Sequence, residues 1–348
     1  MSSRNMLIGA VAVAGLGAGI ALVAFDIVPM PGRAPPAQPA PEAAPTAEGP
    51  GGAYNKSIAK AAPGTADEDA AYTAFDQGKY LTALKLAEEA AARNDPQAHT
   101  LIGRIYAEGL GVPKDDGTAA RWYAKAAELG DTPAMLTLGN MLAEGRGVKK
   151  DMNLAAEMYE KAALTGDPLA NYNLGLMFLR GTGKPENPYR AAEHIRYAAS
   201  KGIAAAQYDM GALYLAGSGV ANDALEAARW TSKAAAQGMP AAEFEYAVML
   251  LQGRGLSADE PKAIQYLKSA AEKGVVGAQN RMGHVYAEGV GVERNPIEAA
   301  KWRLIAKASG LADDKLDLLV AALPDADRAK AQTAAETWRE TKQVKAME

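Results

Sequence analysis

The chain has 348 residues, of which 37 are basic and 41 acidic, and its net charge of −4 leaves no excess of positive charge. Nucleic-acid-binding proteins usually carry a basic stripe or patch, so the composition argues against that class. Cysteine is absent, which excludes disulfides, thiolate metal ligands, cysteine nucleophiles and a lipid anchor on cysteine.

The first predicted element is an apolar segment close to the amino terminus. After a tail of residues 1–5, residues 6–25 carry no charge, and a helix of that length spans about 30 Å, the thickness of a hydrocarbon core. A cleaved secretory signal is the alternative, but its apolar region is usually shorter and a small residue is expected where Leu22 stands. The pattern favours an uncleaved transmembrane anchor, and Arg4 predicts a cytoplasmic amino terminus. In either case the remaining chain is predicted to be exported.

Residues 26–65 form a predicted linker. They are rich in proline, alanine and glycine and contain few bulky apolar side chains, so they cannot bury a core and are predicted to be disordered. A flexible coil of this length reaches roughly 30–35 Å, which would hold the following residues clear of a membrane surface.

Residues 66–94 are predicted to form a helical pair that caps the repeats. Ala71 and Phe75 are one helical turn apart, and Gly78 marks a turn before a second apolar periodicity that begins at Tyr80. This segment resembles a tetratricopeptide unit with a shortened loop.

Residues 95–310 repeat every 36 residues, six times without a gap. Each unit predicts a first helix with an apolar stripe, a G-x-G loop, and a second helix with paired alanines. A fixed period of this kind predicts a stack in which each unit covers the apolar face of its neighbour. The glycines that open the loop are Gly109, Gly145, Gly181, Gly217, Gly253 and Gly289.

The stretch from Ala98 to Gly130 follows the pattern A-x-x-x-L-G-x-x-Y-x-x-G-x-G-V-x-x-D-x-x-x-A-x-x-W-Y-x-K-A-A-x-x-G almost throughout. It resembles the Sel-1-like repeat, a member of the tetratricopeptide superfamily, and the resemblance covers all six units. It implies an all-α fold, an α-solenoid of stacked helix–loop–helix repeats. Local departures, such as Ala247 at the first-helix glycine and Lys184 at the loop valine, are expected to disturb packing only nearby.

Residues 311–348 predict two further helices, separated at Pro324, that end the stack against water. The second has one apolar side, which includes Trp338, and one charged side. The adjacent carboxylates Asp313 and Asp314 are expected to lie on an exposed helix face, where solvation is the default.

No arrangement of residues predicts catalysis, a cofactor or a metal site. The three histidines, His99, His194 and His284, occupy different positions of non-adjacent repeats, whereas a metal site needs convergent ligands. The G-x-G loop lies between two helices, whereas a dinucleotide fingerprint follows a strand and opens a helix. We therefore expect a protein that is not an enzyme.

A partner-binding stripe is predicted on the first helices, which by family resemblance line the concave side of the solenoid. Aromatic side chains occupy one repeat position in three successive units, and apolar residues follow four positions later. Such a row suits capture of a helix or an extended peptide. Burial of the same residues in the core is the alternative. The residues are Tyr172, Leu176, Tyr208, Ala212, Phe244 and Val248.

These features predict a non-catalytic scaffold for protein–protein interaction. It would be anchored in a bacterial inner membrane through residues 6–25, with its repeats in the periplasm, and would act in envelope signalling or assembly, for example in exopolysaccharide regulation, as proteins of similar arrangement do. A soluble periplasmic product after signal cleavage is the alternative location. An exported enzyme or a glycan-binding protein acting on cell-wall polysaccharide is the alternative function.

Overall fold

The structure, a computed structural model, describes residues 66–347. The predicted anchor and linker lie outside these residues. The described residues are all-helical, without a strand, which confirms the predicted fold class. The helices are α1 Ala66–Asp76, α2 Tyr80–Ala91, α3 Pro96–Glu108, α4 Asp116–Glu128, α5 Thr132–Glu144, α6 Met152–Leu164, α7 Pro168–Arg180, α8 Pro188–Ser200, α9 Ala204–Ala216, α10 Ala224–Ala236, α11 Pro240–Gln252, α12 Glu260–Glu272, α13 Val276–Glu288, α14 Pro296–Ala308, α15 Asp314–Ala322 and α16 Asp325–Met347.

The described residues divide into two compact units at Ile203 and Ala204. The N-terminal unit holds α1–α8, which are the capping pair and the first three repeats. The C-terminal unit holds α9–α16, which are the last three repeats and the two closing helices. Within each unit helices pack on their neighbours in chain order. None of the described helices is long and apolar enough to cross a membrane.

Helix caps and left-handed glycines set where the helices of the repeats begin and end. In the N-terminal unit an aspartate caps each first helix; Asp131, for example, accepts a hydrogen bond from the Ala134 N–H at 2.9 Å. The first helix then ends at a left-handed glycine such as Gly145, with φ of 78°. A residue with a Cβ would be strained there, so the glycine position fixes where the loop starts.

The second glycine of the G-x-G loop serves contact between repeats at Gly147 and at Gly255. A Cβ on Gly147 would overlap the carbonyl oxygen of Asp116, which opens the second helix of the preceding repeat. A Cβ on Gly255 would overlap the equivalent carbonyl, that of Ala224. These loops therefore lie directly on the backbone of the previous repeat, and only glycine permits that approach.

A glycine inside the first helix brings the two helices of one repeat together. A Cβ on Gly139 would lie 2.7 Å from the Tyr159 ring, and one on Gly175 would lie 2.7 Å from the Ile195 side chain. Ala247 takes this position in the fifth repeat and is fully buried.

The closing residues form α15 and α16, and one expectation about them is wrong. Asp313 was expected on a solvated face, whereas its side chain is only 6% exposed. It caps α15 through the Leu316 N–H at 3.0 Å and accepts a hydrogen bond from Asn280 at 2.7 Å. The capping role places the carboxylate against α13 rather than in solvent. Trp338 of α16 packs edge-on against Trp302 of α14, with ring centroids 6.0 Å apart.

Candidate functional site

The candidate site is the face of the first helices that does not carry the glycine contact with the second helix. Residues at i, i+4, i+7 and i+11 share one side of a helix. We call this side the first-helix face. In α11 it consists of Ala241, Glu245, Val248 and Gln252; in α9 of Ala205, Asp209, Ala212 and Ala216; in α13 of Gly277, Arg281, His284 and Glu288. In the N-terminal unit its residues include Arg104, Asn140, Asn173, Leu176 and Arg180.

Five of the six residues in the predicted stripe are buried. Two of these lie in the N-terminal unit and three in the C-terminal unit, beside the half-buried Ala212. Their exposed fractions are Tyr172 1%, Leu176 2%, Tyr208 8%, Phe244 6% and Val248 8%. Binding by these residues stays a prediction.

The burial of Phe244 has an identifiable cause. Its ring carbons lie 3.0 Å from where a Cβ on Gly277 would stand, so the ring covers the start of the next first helix. Val275, which precedes that helix, belongs to the same apolar cluster. Phe244 therefore contributes to packing between the fifth and sixth repeats.

The equivalent contact in the N-terminal unit is polar. Thr100, at the repeat position of Phe244, donates a hydrogen bond to Asp131 at 2.7 Å. The Asp131 carboxylate thus caps α5 and binds the preceding repeat at the same time. Burial raises the pKa of Asp131, against the opposing effect of the Thr100 hydrogen bond.

Neutral polar groups continue along the first-helix face of the N-terminal unit. The Tyr159 hydroxyl donates to the Asn140 side-chain oxygen at 2.7 Å, and the Asn173 amide lies 3.4 Å from the same oxygen. Tyr159 and Asn173 also border a small depression of about 30 Å³, which Leu176 and Arg180 help to line. This volume holds about one water molecule.

In the C-terminal unit, carboxyl groups occupy the repeat position of Asn173. Asp209 and Glu245 stand 36 residues apart and are 0% and 7% exposed. Burial raises the pKa of Glu245 to about 7, with an opposing effect from the Arg254 guanidinium. Burial, together with the charges of Glu245 and Asp209, raises the pKa of Tyr208 far above its usual range. Tyr208 therefore interacts electrostatically with both carboxyl groups inside one unit.

A third charge network closes the C-terminal unit. His284 lies 2.6 Å from Asp313 through its Nε2 atom, and Asp313 also faces Asn280. Burial opposes ionisation of Asp313, but these hydrogen bonds and that of Leu316 outweigh it and hold its pKa well below the usual range. Arg303 of α14 forms a two-bond ion pair with Asp317 at 2.8 and 2.9 Å. These bonds fasten α15 to the last repeat.

The other two histidines make local hydrogen bonds. His99 Nδ1 lies 2.6 Å from the Asp95 carbonyl oxygen, and His194 Nδ1 lies 2.9 Å from the Asn171 amide oxygen. His194 also stacks on Phe178. Within residues 66–347, no three histidine or carboxylate side chains come together as metal ligands would.

The sequence reasoning did not single out Asp209 and Glu245. A signal was present, because Glu245 interrupts the otherwise apolar run Phe244–Leu251 in the middle of α11. An acidic residue there indicates either a buried polar contact or a ligand-facing position.

Comparison with known proteins gives a family match over the repeats. The model of the family described as Sel1 repeat matches residues 96–131, 132–167, 168–203, 204–239, 240–275 and 276–310. Among the curated proteins compared, none matches the chain significantly.

Two solved structures resemble the chain. A Sel1 repeat protein from Oxalobacter formigenes is 30% identical, with a TM-score of 0.61, over 70% of this chain and 97% of that one. A protective antigen present in uropathogenic Escherichia coli strains, which displays an SLR fold, is 27% identical, with a TM-score of 0.56, over 79% of this chain and 68% of that one.

Proposed function

Because the chain belongs to the Sel1 repeat family, whose members generally mediate protein–protein interaction, we propose that it is a non-catalytic scaffold in a bacterial envelope. Residues 6–25 anchor it in the inner membrane, residues 26–65 act as a tether, and the repeats recruit another envelope protein in the periplasm. The scaffold serves envelope signalling or assembly, such as control of exopolysaccharide production.

One observation carries the proposal. The residues that recur from repeat to repeat are used for packing: the loop glycines, the paired alanines and the caps of the second helices all contact the chain itself. The first-helix face instead changes its chemistry from repeat to repeat, from Asn140 and Asn173 to Asp209 and Glu245. A surface that varies on a repeated frame is what recognition of an extended partner uses.

Site-specific photocrosslinking tests this proposal. A photoreactive residue at Gln252 or Glu108, both exposed on the first-helix face, should give a discrete protein adduct in envelope fractions. The matched controls are Gln265 and Glu157, which are exposed on second helices. Adducts with glycan alone would contradict a protein scaffold and favour the alternative of an enzyme or glycan-binding protein, and equal adducts at all four sites would contradict the assignment of the face.

The location requires its own measurement. Mass spectrometry of the mature protein should find Met1–Phe25 intact in inner-membrane fractions, and protease added to the periplasm should reach the repeats. A mature chain that begins after residue 25 and fractionates with soluble periplasm would replace the anchored scaffold by an exported adaptor.

A further inference from the structure

Arg281 is a half-buried cation in the middle of α13, on the first-helix face of the C-terminal unit. Its guanidinium group forms no hydrogen bond or ion pair with any described residue. Burial lowers the pKa of Arg281, against the opposing effect of the Glu288 and Asp313 charges. Arginine has five N–H donors, and leaving them partly dehydrated without acceptors is costly. An external acceptor that reached this group would therefore be bound favourably.

The two acids that act on Arg281 are engaged by other groups of the fold. His284 Nε2 lies 2.6 Å from Asp313, which also accepts a hydrogen bond from a backbone N–H of α15. Lys315 donates a hydrogen bond to Glu288 at 2.5 Å. Both carboxylates thus have donors of their own, whereas Arg281 is left without an acceptor.

A second arginine of the same unit shows how the fold satisfies a guanidinium group that serves packing. Arg303 is only 1% exposed, and it donates two hydrogen bonds to Asp317 and one to the Leu311 carbonyl oxygen at 2.7 Å. Arg281 has none of these bonds and stays in partial contact with solvent. The residue one turn earlier on its face is Gly277, which has no side chain to cover the guanidinium group.

We propose that Arg281 binds a carboxylate group of a protein partner on the first-helix face of the C-terminal unit. A planar guanidinium group donates two parallel hydrogen bonds to a carboxylate, and such charge-assisted pairs are stronger than neutral hydrogen bonds. This inference rests on the proposed scaffold function and gives its partner a chemical class, a segment that presents an acidic side chain or a free carboxyl terminus.

The charges around Arg281 favour a carboxylate over a phosphate group. Glu288 and Asp313 act on the guanidinium group electrostatically, so they also act on any anion that binds it. A phosphate group carries about 1.5 to 2 negative charges and a carboxylate carries one, and the repulsion rises in proportion to that charge. A singly charged ligand is therefore repelled least.

Chemical footprinting tests whether a ligand can reach the guanidinium group. Phenylglyoxal, which modifies arginine, is applied to the full chain in detergent, and mass spectrometry locates the modified residues. Arg281 should react, and an excess of a blocked tetraglutamate peptide should slow its modification. Arg303, which is buried and ion-paired, should stay unmodified. Arg229, which is exposed on the second helix α10, should react equally with and without the peptide.

Calorimetry then measures what the guanidinium group contributes to binding. Arg281→Gln should weaken tetraglutamate binding by the unsubstituted chain roughly tenfold or more, which corresponds to loss of a charge-assisted hydrogen bond. Arg281→Lys keeps the charge without the planar fork and should lose less. Arg229→Gln is the matched control and should bind as the unsubstituted chain does. Tetraglycine with a free carboxyl terminus is the second probe, and the peptide that binds more tightly identifies the source of the carboxylate.

A purely structural role for Arg281 predicts a different result in urea denaturation. Because its guanidinium group has no hydrogen bond within the fold, Arg281→Gln should unfold at the same urea concentration as the unsubstituted chain or at a higher one. A clear shift to lower urea would assign the residue to packing and overturn the proposal.

Four further outcomes would overturn it: an Arg281 that phenylglyoxal does not modify, no protection by either peptide, unchanged affinity in Arg281→Gln, or an equal loss in Arg229→Gln. If Arg281→Gln does not fold, footprinting of the unsubstituted chain decides. Photocrosslinking at Gln252 that persists while both peptides fail would leave the scaffold function standing and remove only the carboxylate site.

Discussion

The contact between the first and second repeats and the contact between the fifth and sixth use the same backbone but different chemistry. In the N-terminal unit, Thr100 bonds the capping carboxylate of Asp131. In the C-terminal unit, Phe244 covers Gly277, and the cap position holds Val275, which makes no side-chain cap. We call the Thr100–Asp131 contact the polar seam and the Phe244–Gly277 contact the apolar seam. They are alternative ways to join helix pairs that share one backbone fold.

The same difference extends to the first-helix faces. The N-terminal unit places the amides Asn140 and Asn173 there, and they are satisfied by Tyr159 and by each other. The C-terminal unit places Asp209 and Glu245 there, in more apolar surroundings. The repeat frame tolerates both because these positions face away from the glycine contacts that hold the two helices of a repeat together.

The largest expected effect concerns the element that both units share. Gly147→Ala and Gly255→Ala should each destabilise the protein by roughly 4 kcal/mol or more, because the new Cβ overlaps a carbonyl group of the preceding repeat and the φ angle is positive. Urea denaturation followed by circular dichroism measures this. Gly274→Ala is the control, since its φ is also positive but nothing lies within 4 Å, and it should lose only about 1–2 kcal/mol. If all three variants lost a similar free energy of unfolding, contact between repeats could not explain the loss.

The next effect separates the two seams. Phe244→Ala should cost roughly 3–5 kcal/mol, because it opens a cavity over Gly277 in an apolar cluster. Thr100→Ala, at the same repeat position, should cost only about 1–2 kcal/mol through loss of its hydrogen bond to Asp131. The same denaturation measurement compares them. A Phe244→Ala protein as stable as the parent would show that the ring is dispensable for packing and free for a partner.

The third effect is the pH dependence of stability that Glu245 of the C-terminal unit should contribute. The pKa of Glu245 is raised from 4.5 to about 7 in the folded chain, so the folded state holds more protons than the unfolded state between these values. Stability should therefore fall as the pH rises from about 4.5 to 7, by roughly 2–3 kcal/mol.

Glu245→Gln should remove this slope, which denaturation at a series of pH values measures. Glu157→Gln, the exchange of an exposed acid in the N-terminal unit, should leave the slope in place. If the slope of stability against pH persists in Glu245→Gln, another titratable group causes it.

The smallest effect concerns the polar seam itself. Asp131→Ala removes the acceptor for both the Ala134 N–H and the Thr100 hydroxyl, and should cost about 1–2 kcal/mol. Asp131→Asn keeps an acceptor oxygen and should lose clearly less. Thermal melts of the two variants measure the difference, and an equal loss would show that the negative charge, rather than the hydrogen bonds, holds the seam.

The sequence by itself determined the repeat frame. The glycine period, the apolar stripes and the paired alanines predicted the helix pairs because each of these features has a local geometric reason for its place, such as the positive φ at Gly145. The closing helices followed from their apolar periodicity in the same way.

Tertiary structure alone decided which side chains remain accessible and which are buried. In the sequence, the aromatic residues at one repeat position resemble a binding stripe: Tyr172, Tyr208 and Phe244. Whether they are buried depends on which residues of the neighbouring repeat pack against them, such as Gly277 against the Phe244 ring. The sequence likewise did not show three further features: the buried environment of Glu245, the low exposure of Asp313 and the division into two units at Ile203. Each depends on packing between residues that are distant in the chain. A local sequence pattern does not show which of these distant residues pack together.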